Sequence, residues 1–164
     1  MKYRFTEWFV RLWHKGESRQ YTGEPHWEYC RRIAGYCEYY NLKSDIVKAA
    51  WLHDVLGRTR CPDWLLRLVF NESIYQIVFD LTYITTLSDG NRRTRKAIEL
   101  KRLAKVSKEA AMIELLIRFD NSRTIKAYDP RFYAIYRQET LDVLEVLPEA
   151  HRELERELRG MLNH

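Results

Sequence analysis

The stretch that decides the fold of this chain is Ala49–Val55, with the sequence AAWLHDV, in which an apolar helical segment ends in the adjacent pair His53 and Asp54. An imidazole nitrogen and a carboxylate oxygen together suit Mn, Fe or Zn. The pair therefore predicts one side of a metal site. Alternatively, His53 is a buried histidine and Asp54 a helix-end residue, each of which satisfies local hydrogen bonds, so further motifs have to decide.

The composition predicts a soluble globular protein. The chain has 164 residues, of which 31% are charged and 46% hydrophobic, enough for one domain with its own core. Cys30, Cys37 and Cys61 form neither a metal-finger spacing nor an even disulfide set, so we expect the reducing cytoplasm. No uninterrupted apolar segment approaches the length of a membrane span, and we expect neither a signal peptide nor a membrane anchor.

Much of the positive charge, which gives the chain a net charge of +5, lies between residues 92 and 105. The basic residues there are Arg92, Arg93, Arg95, Lys96, Lys101, Arg102 and Lys105. Such a patch attracts phosphates or nucleic acid. Alternatively, it is the solvated face of a helix whose buried side carries Ile98, Leu100, Leu103 and Ala104. Nucleic-acid binding is the weaker of these interpretations.

Hydrophobic periodicity and cap residues predict helices joined by short turns. Ser44 caps a third helix that ends at the stop signal Gly57, Ser107 caps a later helix, and Pro148 opens the last one. The segment Ser73–Thr86 is ambiguous because its Ile and Thr residues favour a strand, but its apolar residues follow the helical period and we predict a helix. The predicted helices cover residues about 4–14, 25–40, 44–56, 62–70, 73–86, 92–105, 108–126, 130–146 and 149–162.

Four short motifs follow one another along the chain. They are His14-Lys15-Gly16 with Arg19–Pro25, Ala50–Val55 with Thr59, Arg118–Ile125, and Glu139-Thr140-Leu141. In this order, over roughly residues 14 to 145, they resemble the HD-domain hydrolases of the Rel/Spo stringent-response type. The resemblance implies an all-α HD-domain helical bundle, which we expect to form a single domain over residues 1–164. It also implies a pocket for a guanosine polyphosphate, from which such proteins remove the 3′ pyrophosphate with Mn and water.

The resemblance implies that His53 and Asp54 bind the metal. At the other ligand positions this sequence differs from the family. Tyr29 stands where the family has its first metal-binding histidine, and Ile117 stands where it has its last metal-binding aspartate. Both side chains are large enough to fill the space of an ion and its waters. We therefore expect that the protein has no cofactor. If the site is functional, the expected cofactor is Mn.

The positions that assist catalysis in the family also differ, whereas those that contact its nucleotide are kept. Gly57 and Arg58 replace the Glu-Asp pair that supports the attacking water, which leaves the catalytic residues unknown. Arg19, Asn121 and Thr124 match positions that contact the nucleotide in the family. Arg58 offers a further cation to Asp54 or to a phosphate of the ligand. The resemblance thus favours a guanosine polyphosphate as the ligand.

Two neighbouring residues offer a shifted set of metal ligands. His26 lies three residues before Tyr29, and Asp120 lies three residues after Ile117. A shift of three residues keeps a helical side chain on nearly the same face, but moves it about 4.5 Å along the axis and turns it by roughly 60°. Metal ligands have to be placed to about 0.2 Å, so this set requires the backbone to rearrange at both positions.

Three functions therefore stay open on the sequence. The first is an HD-domain protein that binds a nucleotide polyphosphate without efficient metal-dependent hydrolysis. The second is an active Mn-dependent nucleotide phosphohydrolase whose ligands are His26, His53, Asp54 and Asp120. The third is a helical interaction module that acts on a protein partner or forms a homodimer. The aromatic residues of the first helix indicate this function, because aromatic side chains anchor interfaces, but they can alternatively fill the core. These aromatic residues are Tyr3, Phe5, Trp8, Phe9 and Trp13, and Tyr36, Tyr39 and Tyr40 of the second helix support the same hypothesis.

Overall fold

The structure, a computed structural model, describes residues 2–163. Over this range the chain is helical and contains no β-strand, so the predicted all-α fold is confirmed. The chain divides into two compact units, the first ending at Thr82 and the second beginning at Tyr83. The expectation of a single domain stays a prediction. None of the described helices is both long and apolar enough to cross a lipid bilayer, and the cytoplasmic location stays a prediction.

Six helices build the first unit within the described residues. They are α1 (Arg4–Trp13), α2 (His26–Tyr39), α3 (Ser44–Leu52), α4 (Val55–Arg58), α5 (Asp63–Val69) and α6 (Glu72–Leu81). Helix α3 is the central element, because it packs against α1, α2 and α6. Its small residues Ala49 and Ala50 are completely buried, which allows the neighbouring helices a close approach. The His-Asp pair follows directly at the end of this buried helix.

Four helices build the second unit, after a short 3-10 helix at Leu87–Asp89. They are α7 (Arg92–Leu103), α8 (Lys108–Tyr128), α9 (Pro130–Val146) and α10 (Arg152–Leu162). Helix α8 packs against α9 and α10, and α7 packs against α9. The centre of this unit is apolar and fully enclosed, with Ile113, Leu116, Leu154 and Leu158 at most 1% exposed. Burial of such side chains is the main source of stability for a helical unit.

The helix predicted to continue to Thr86 ends at Leu81. Beyond it, the backbone N–H groups of Ile84 and Thr85 donate to Glu99 Oε1 at 3.0 and 2.9 Å. A buried carboxylate that is distant in sequence thus satisfies donors that a longer helix would have used. The prediction for this part of the segment is therefore wrong.

The predicted helix ends were right in one case and wrong in three. The Ser107 hydroxyl accepts the backbone N–H three residues on, at 3.3 Å, and so caps α8 as predicted. Ser44 is the first residue of α3 and makes no capping hydrogen bond. Gly57 lies inside α4 rather than ending a helix, and the last helix is capped by His151 rather than opened by Pro148. A cap depends on the exact turn at which the helix starts, which periodicity leaves uncertain by a few residues.

The positive charge of α7 is partly compensated within the second unit. Arg92 donates to both carboxylate oxygens of Glu139 at 2.7 and 2.8 Å, and Lys96 Nζ lies 3.6 Å from the same carboxylate. The predicted buried side of the helix holds for Leu103, whereas Ala104 is exposed. These contacts favour the interpretation of a solvated helix face.

Helix α1 presents an apolar outer face. Phe9 is buried, but Phe5 and Trp8 are each 56% exposed and Leu12 is 52% exposed. A core role for the aromatic residues at helical spacing is therefore correct for Phe9 and wrong for Phe5 and Trp8.

Candidate functional site

A loop between α1 and α2 brings the end of one helix next to the start of the other. The N–H of His26 donates to the Glu17 carbonyl at 3.0 Å, and the N–H of Arg19 donates to the Glu24 carbonyl at 2.9 Å. The loop reverses through Gly16 and Gly23, whose φ angles of 82° and 69° are left-handed. Glycine adopts this backbone conformation without steric cost. The loop therefore sets His14, at its beginning, beside His26, at its end.

The His-Asp pair meets His26 in the first unit. His53 Nδ1 donates to the Ala50 carbonyl at 2.7 Å, so that nitrogen carries a proton. His26 Nε2 donates to Asp54 Oδ2 at 2.8 Å, and His53 Nε2 lies 3.5 Å from the same oxygen. The structure thus gathers His26, His53 and Asp54 around one carboxylate oxygen.

The environment of Asp54 favours its ionised form. Burial raises the pKa of this carboxyl group, but the nearby His53, the hydrogen bond from His26 and the Arg58 guanidinium outweigh burial and hold the pKa below its usual range. The side chain stays 30% exposed. Asp54 is therefore a carboxylate at neutral pH.

Tyr29 occupies the space beside both histidines. Its side chain is 2% exposed, and its ring makes edge contacts with His26 and His53 at centroid distances of 5.5 and 5.3 Å. The guanidinium of Arg19 lies 3.8 Å from the centroid of the same ring, in cation–π geometry. Tyr29 therefore packs between the two histidines and the Arg19 guanidinium.

Arg58 and Gly57 lie on the short helix α4 that follows the pair. Arg58 Nε is 3.8 Å from Glu17 Oε2, and its side chain is 49% exposed. Gly57 is exposed, and a Cβ atom added there would lie in ordinary contact, 3.6 Å from Thr82 Cγ2. The backbone at this position therefore has room for a larger side chain.

The other predicted site residues lie on α8 in the second unit. Asp120 is 5% exposed, and Ile117 is half-buried. The Thr124 hydroxyl donates to the Asp120 carbonyl at 3.1 Å, and the Asn121 side chain shares a hydrogen bond with Tyr136. These residues are therefore already held by contacts inside their own unit.

Sequence reasoning missed a second group of residues beside the pair. His14 Nδ1 donates to Glu17 Oε2 at 2.8 Å, and the His14 ring lies 4.7 Å from that of His26 between centroids. Burial lowers the pKa of His14 in spite of the hydrogen bond to Glu17, which raises it, so the ring is neutral. Cys30 follows His26 by one helical turn and is completely buried. The signal was present in the i, i+4 spacing of His26 and Cys30, but the approach of His14 depends on closure of the loop.

The fold and the paired histidine and aspartate define an HD-domain protein. The chain belongs to the HD domain family, whose model matches residues 8–153. The resemblance to Rel/Spo-type hydrolases that the motifs indicated is confirmed.

A named relative and two solved structures support this assignment. The "Probable guanosine-3′,5′-bis(diphosphate) 3′-pyrophosphohydrolase" of Mycoplasma pneumoniae is 28% identical over 144 residues, which cover 82% of this chain and 20% of the relative. The chain thus spans about a fifth of the length of that relative. A metazoan ortholog of SpoT, described as hydrolysing ppGpp and acting in starvation responses, matches with a TM-score of 0.86 at 19% identity over 99% of this chain and 94% of that one. The crystal structure of lmo0812 from Listeria monocytogenes EGD-e matches with a TM-score of 0.69 at 16% identity, over 88% of this chain and 97% of that one.

Proposed function

We propose that this HD-domain protein binds a nucleotide polyphosphate of the guanosine type without efficient metal-dependent hydrolysis. The likeness to a guanosine polyphosphate hydrolase supports the class of ligand. The arrangement around Tyr29 supports the loss of turnover and carries the proposal. A buried phenol ring lies against His26 and His53, at the position where the resemblance places the first metal-binding histidine.

The donor atoms present do not fit the Mn site that the family implies. Of its four ligand positions this chain keeps a histidine at His53 and a carboxylate at Asp54, and Asp54 Oδ2 already accepts a hydrogen bond from His26. Ile117 offers a hydrocarbon side chain with no donor atom. Mn prefers oxygen and nitrogen ligands in a set of about six, to which two protein atoms contribute little. No chemical step is therefore assigned to an ion at this position.

The cations of the first unit suit phosphate oxygens. The Arg19 guanidinium lies over the ring of Tyr29, and that of Arg58 acts on the Asp54 carboxylate. A planar guanidinium binds phosphate through two parallel hydrogen bonds. Arg58 stands where the family has a carboxylate that would repel a polyphosphate. Its substitution for an acid therefore favours binding of the anion over activation of water.

The test is to restore the missing ligands. The double variant Tyr29→His with Ile117→Asp is titrated with Mn after chelator treatment, alongside a matched control, Tyr29→Phe with Ile117→Asn, which changes the same positions without adding strong ligands. We expect stoichiometric Mn binding in the first variant and none in the control. No gain of Mn in the restored variant would count against the proposal.

A second candidate is the active phosphohydrolase with shifted ligands. One observation favours it, namely that His26, His53 and Asp54 meet at a single carboxylate oxygen. On this account His26 Nε2 would give up its hydrogen bond to ligate the ion, and Asp120 would be the fourth ligand. His53→Ala should then abolish Mn-dependent release of pyrophosphate from guanosine tetraphosphate. Turnover that survives the substitution would exclude this candidate.

The third candidate, an interaction module, draws on the exposed face of α1 formed by Phe5, Trp8 and Leu12. Exposed aromatic side chains of this kind anchor protein interfaces. If the face joins two copies of the chain, sedimentation should give a dimer for the parent protein and a monomer for Trp8→Glu. A parent protein that sediments as a monomer at high concentration would exclude the homodimer.

A further inference from the structure

Three buried side chains converge behind the His-Asp pair. The donor nitrogens of His14 and His26 and the sulfur of Cys30 all lie within 4.8 Å of one another. The two histidines are 1% exposed and the cysteine is 0% exposed. The Mn ligands that the resemblance assigns do not include either His14 or Cys30, so this cluster is separate from the family site.

The hydrogen bonds of the two histidines show which nitrogen of each ring is left for another ligand. His14 Nδ1 donates to Glu17 Oε2, and His26 Nε2 donates to Asp54 Oδ2, each at 2.8 Å. Because an ionised carboxylate can only accept, each of these two nitrogens carries a proton. The remaining nitrogens, His14 Nε2 and His26 Nδ1, are both buried with no hydrogen-bond partner.

This pattern is the one that metal-binding histidines show. A ligating imidazole almost always donates its second N–H to a carboxylate or a carbonyl group, which fixes the tautomer and raises the basicity of the ligand. Here both rings have such a carboxylate, and both belong to the same cluster as the Cys30 thiol. A buried acceptor without a partner is unfavourable, and one ion would satisfy both nitrogens together.

We infer that His14, His26 and Cys30 form a binding site for a thiolate-preferring divalent ion of the Zn²⁺ class. Two imidazoles and one thiolate suit Zn²⁺, which takes four ligands in a tetrahedron. The three protein donors leave one position for water or an anion. On binding, the Cys30 S–H bond breaks, a sulfur–metal bond forms and the proton passes to solvent, with no change in oxidation state.

The geometry needs only a modest closure of the cluster. Bond lengths of about 2.0–2.1 Å to nitrogen and 2.3 Å to sulfur place tetrahedral ligands roughly 3.3–3.6 Å apart. Donor atoms that lie within 4.8 Å have to close by no more than about 1.5 Å, which side-chain rotation can supply. Burial raises the pKa of the Cys30 thiol, so the sulfur keeps its proton until an ion displaces it.

The site also has a route to solvent. A surface cavity of about 340 Å³ is lined by residues of the α1–α2 loop and includes His14, Glu17 and Gly23. Of the three ligands, His14 is the one that lines this cavity. In this site His26 would bind the ion through Nδ1, while Nε2 keeps its hydrogen bond to Asp54. The enzyme with shifted ligands needs the same Nε2 to bind Mn, so the two arrangements cannot form together.

Co²⁺ is the probe that tests the site, because a thiolate bound to Co²⁺ gives a characteristic absorption band. The full chain is treated with chelator and titrated with Co²⁺. We expect one ion per chain, a sulfur-to-cobalt charge-transfer band in the near ultraviolet, and displacement by Zn²⁺. Cys30→Ser should lose the band, while Cys37→Ser, which alters an equally buried cysteine on the same helix, should keep it. Glu17→Ala should weaken binding about 10-fold to 100-fold, since it removes the acid that orients His14.

A measurement on the parent chain alone keeps the inference testable if a variant fails to fold. X-ray absorption of the Zn²⁺-loaded protein should show one sulfur neighbour at about 2.3 Å and nitrogen neighbours at about 2.0–2.1 Å. Absence of a sulfur neighbour, or a charge-transfer band that persists in Cys30→Ser, would overturn the inference. Nucleotide binding measured in chelator is a separate result, so failure of the proposed function would not be mistaken for failure of this site.

Discussion

Removing the charge of Asp54 should destabilise the protein by a predictable and pH-dependent amount. Asp54→Asn keeps the shape of the side chain and an oxygen that can still accept from His26 Nε2, at 2.8 Å in the parent. A hydrogen bond to a charged group contributes roughly 1.5–3 kcal/mol, and a neutral one roughly 0.5–1.5 kcal/mol. Because the carboxylate is partly exposed, we expect a loss of about 1–1.5 kcal/mol at neutral pH, close to tenfold in the folding equilibrium.

The sign of the pH dependence follows from the direction of the pKa shift. Burial raises the pKa of Asp54, but His53, His26 and Arg58 lower it by a larger amount. The pKa in the folded state therefore lies below that in the unfolded state. The folded state then favours the ionised form, and its contribution is fully present above about pH 5. It is lost as the pH falls below about 4, toward the folded pKa. The stability difference between the parent and Asp54→Asn should therefore shrink in acid.

Urea unfolding followed by tryptophan fluorescence, from about pH 7 down to about pH 3.5, measures this difference. Titrating groups away from Asp54 are common to both proteins and largely cancel. His26 and His53 contact Asp54, so the change is read between about pH 5 and about pH 3.5, where the carboxylate itself takes up a proton. Asp45→Asn is the control, because that acid is 39% exposed and its ion pair with Lys48 is long at 3.8 Å, so we expect about 0.5 kcal/mol or less. A difference for Asp54→Asn that stays constant with pH, or grows in acid, would refute the reasoning.

Five further substitutions test the buried contacts, one helix cap and the core packing by the same urea assay. Glu99→Gln keeps the hydrogen bonds to Oε1 but loses the charged hydrogen bond from Arg102 at 2.7 Å, so we expect the free energy of unfolding to fall by about 1.5–2 kcal/mol. Glu99→Ala removes both sets of contacts and should lower it more. Equal losses in the two variants would contradict the assigned contacts. Ser107→Ala should lower the free energy of unfolding by about 1 kcal/mol through the lost cap of α8, and no change would mean that the cap is not formed in solution. Leu66→Ala should cost about 3 kcal/mol because Leu66 is fully buried, whereas Leu68→Ala, at 76% exposure on the same helix, should cost almost nothing.

The fold was predictable because its signals are local. The apolar period of each long helix and the order of the HD-type motifs predicted an all-α bundle, and both predictions are confirmed. The cap at Ser107 also depends only on neighbouring residues. By contrast, the end of α6 depends on Glu99, which lies on another helix and takes the backbone donors of Ile84 and Thr85. No local pattern contains that contact.

The site was predictable only in part, for a related reason. The adjacency of His53 and Asp54 is written in the sequence, and so is the absence of a histidine at Tyr29. The approach of His14 to Cys30 depends on how the loop through Gly16 and Gly23 closes, which the sequence alone does not fix. The roles of Arg19, Asn121 and Thr124 in nucleotide binding stay predictions.

The most direct test of the proposed function is one measurement that follows binding and cleavage together. The protein is mixed with a smaller amount of labelled guanosine tetraphosphate in the presence of Mn, and both the bound fraction and the chemical identity of the label are determined. The proposal predicts saturable binding, weakened in Arg58→Ala, with the nucleotide recovered intact. Release of pyrophosphate, or no binding at all, would contradict it.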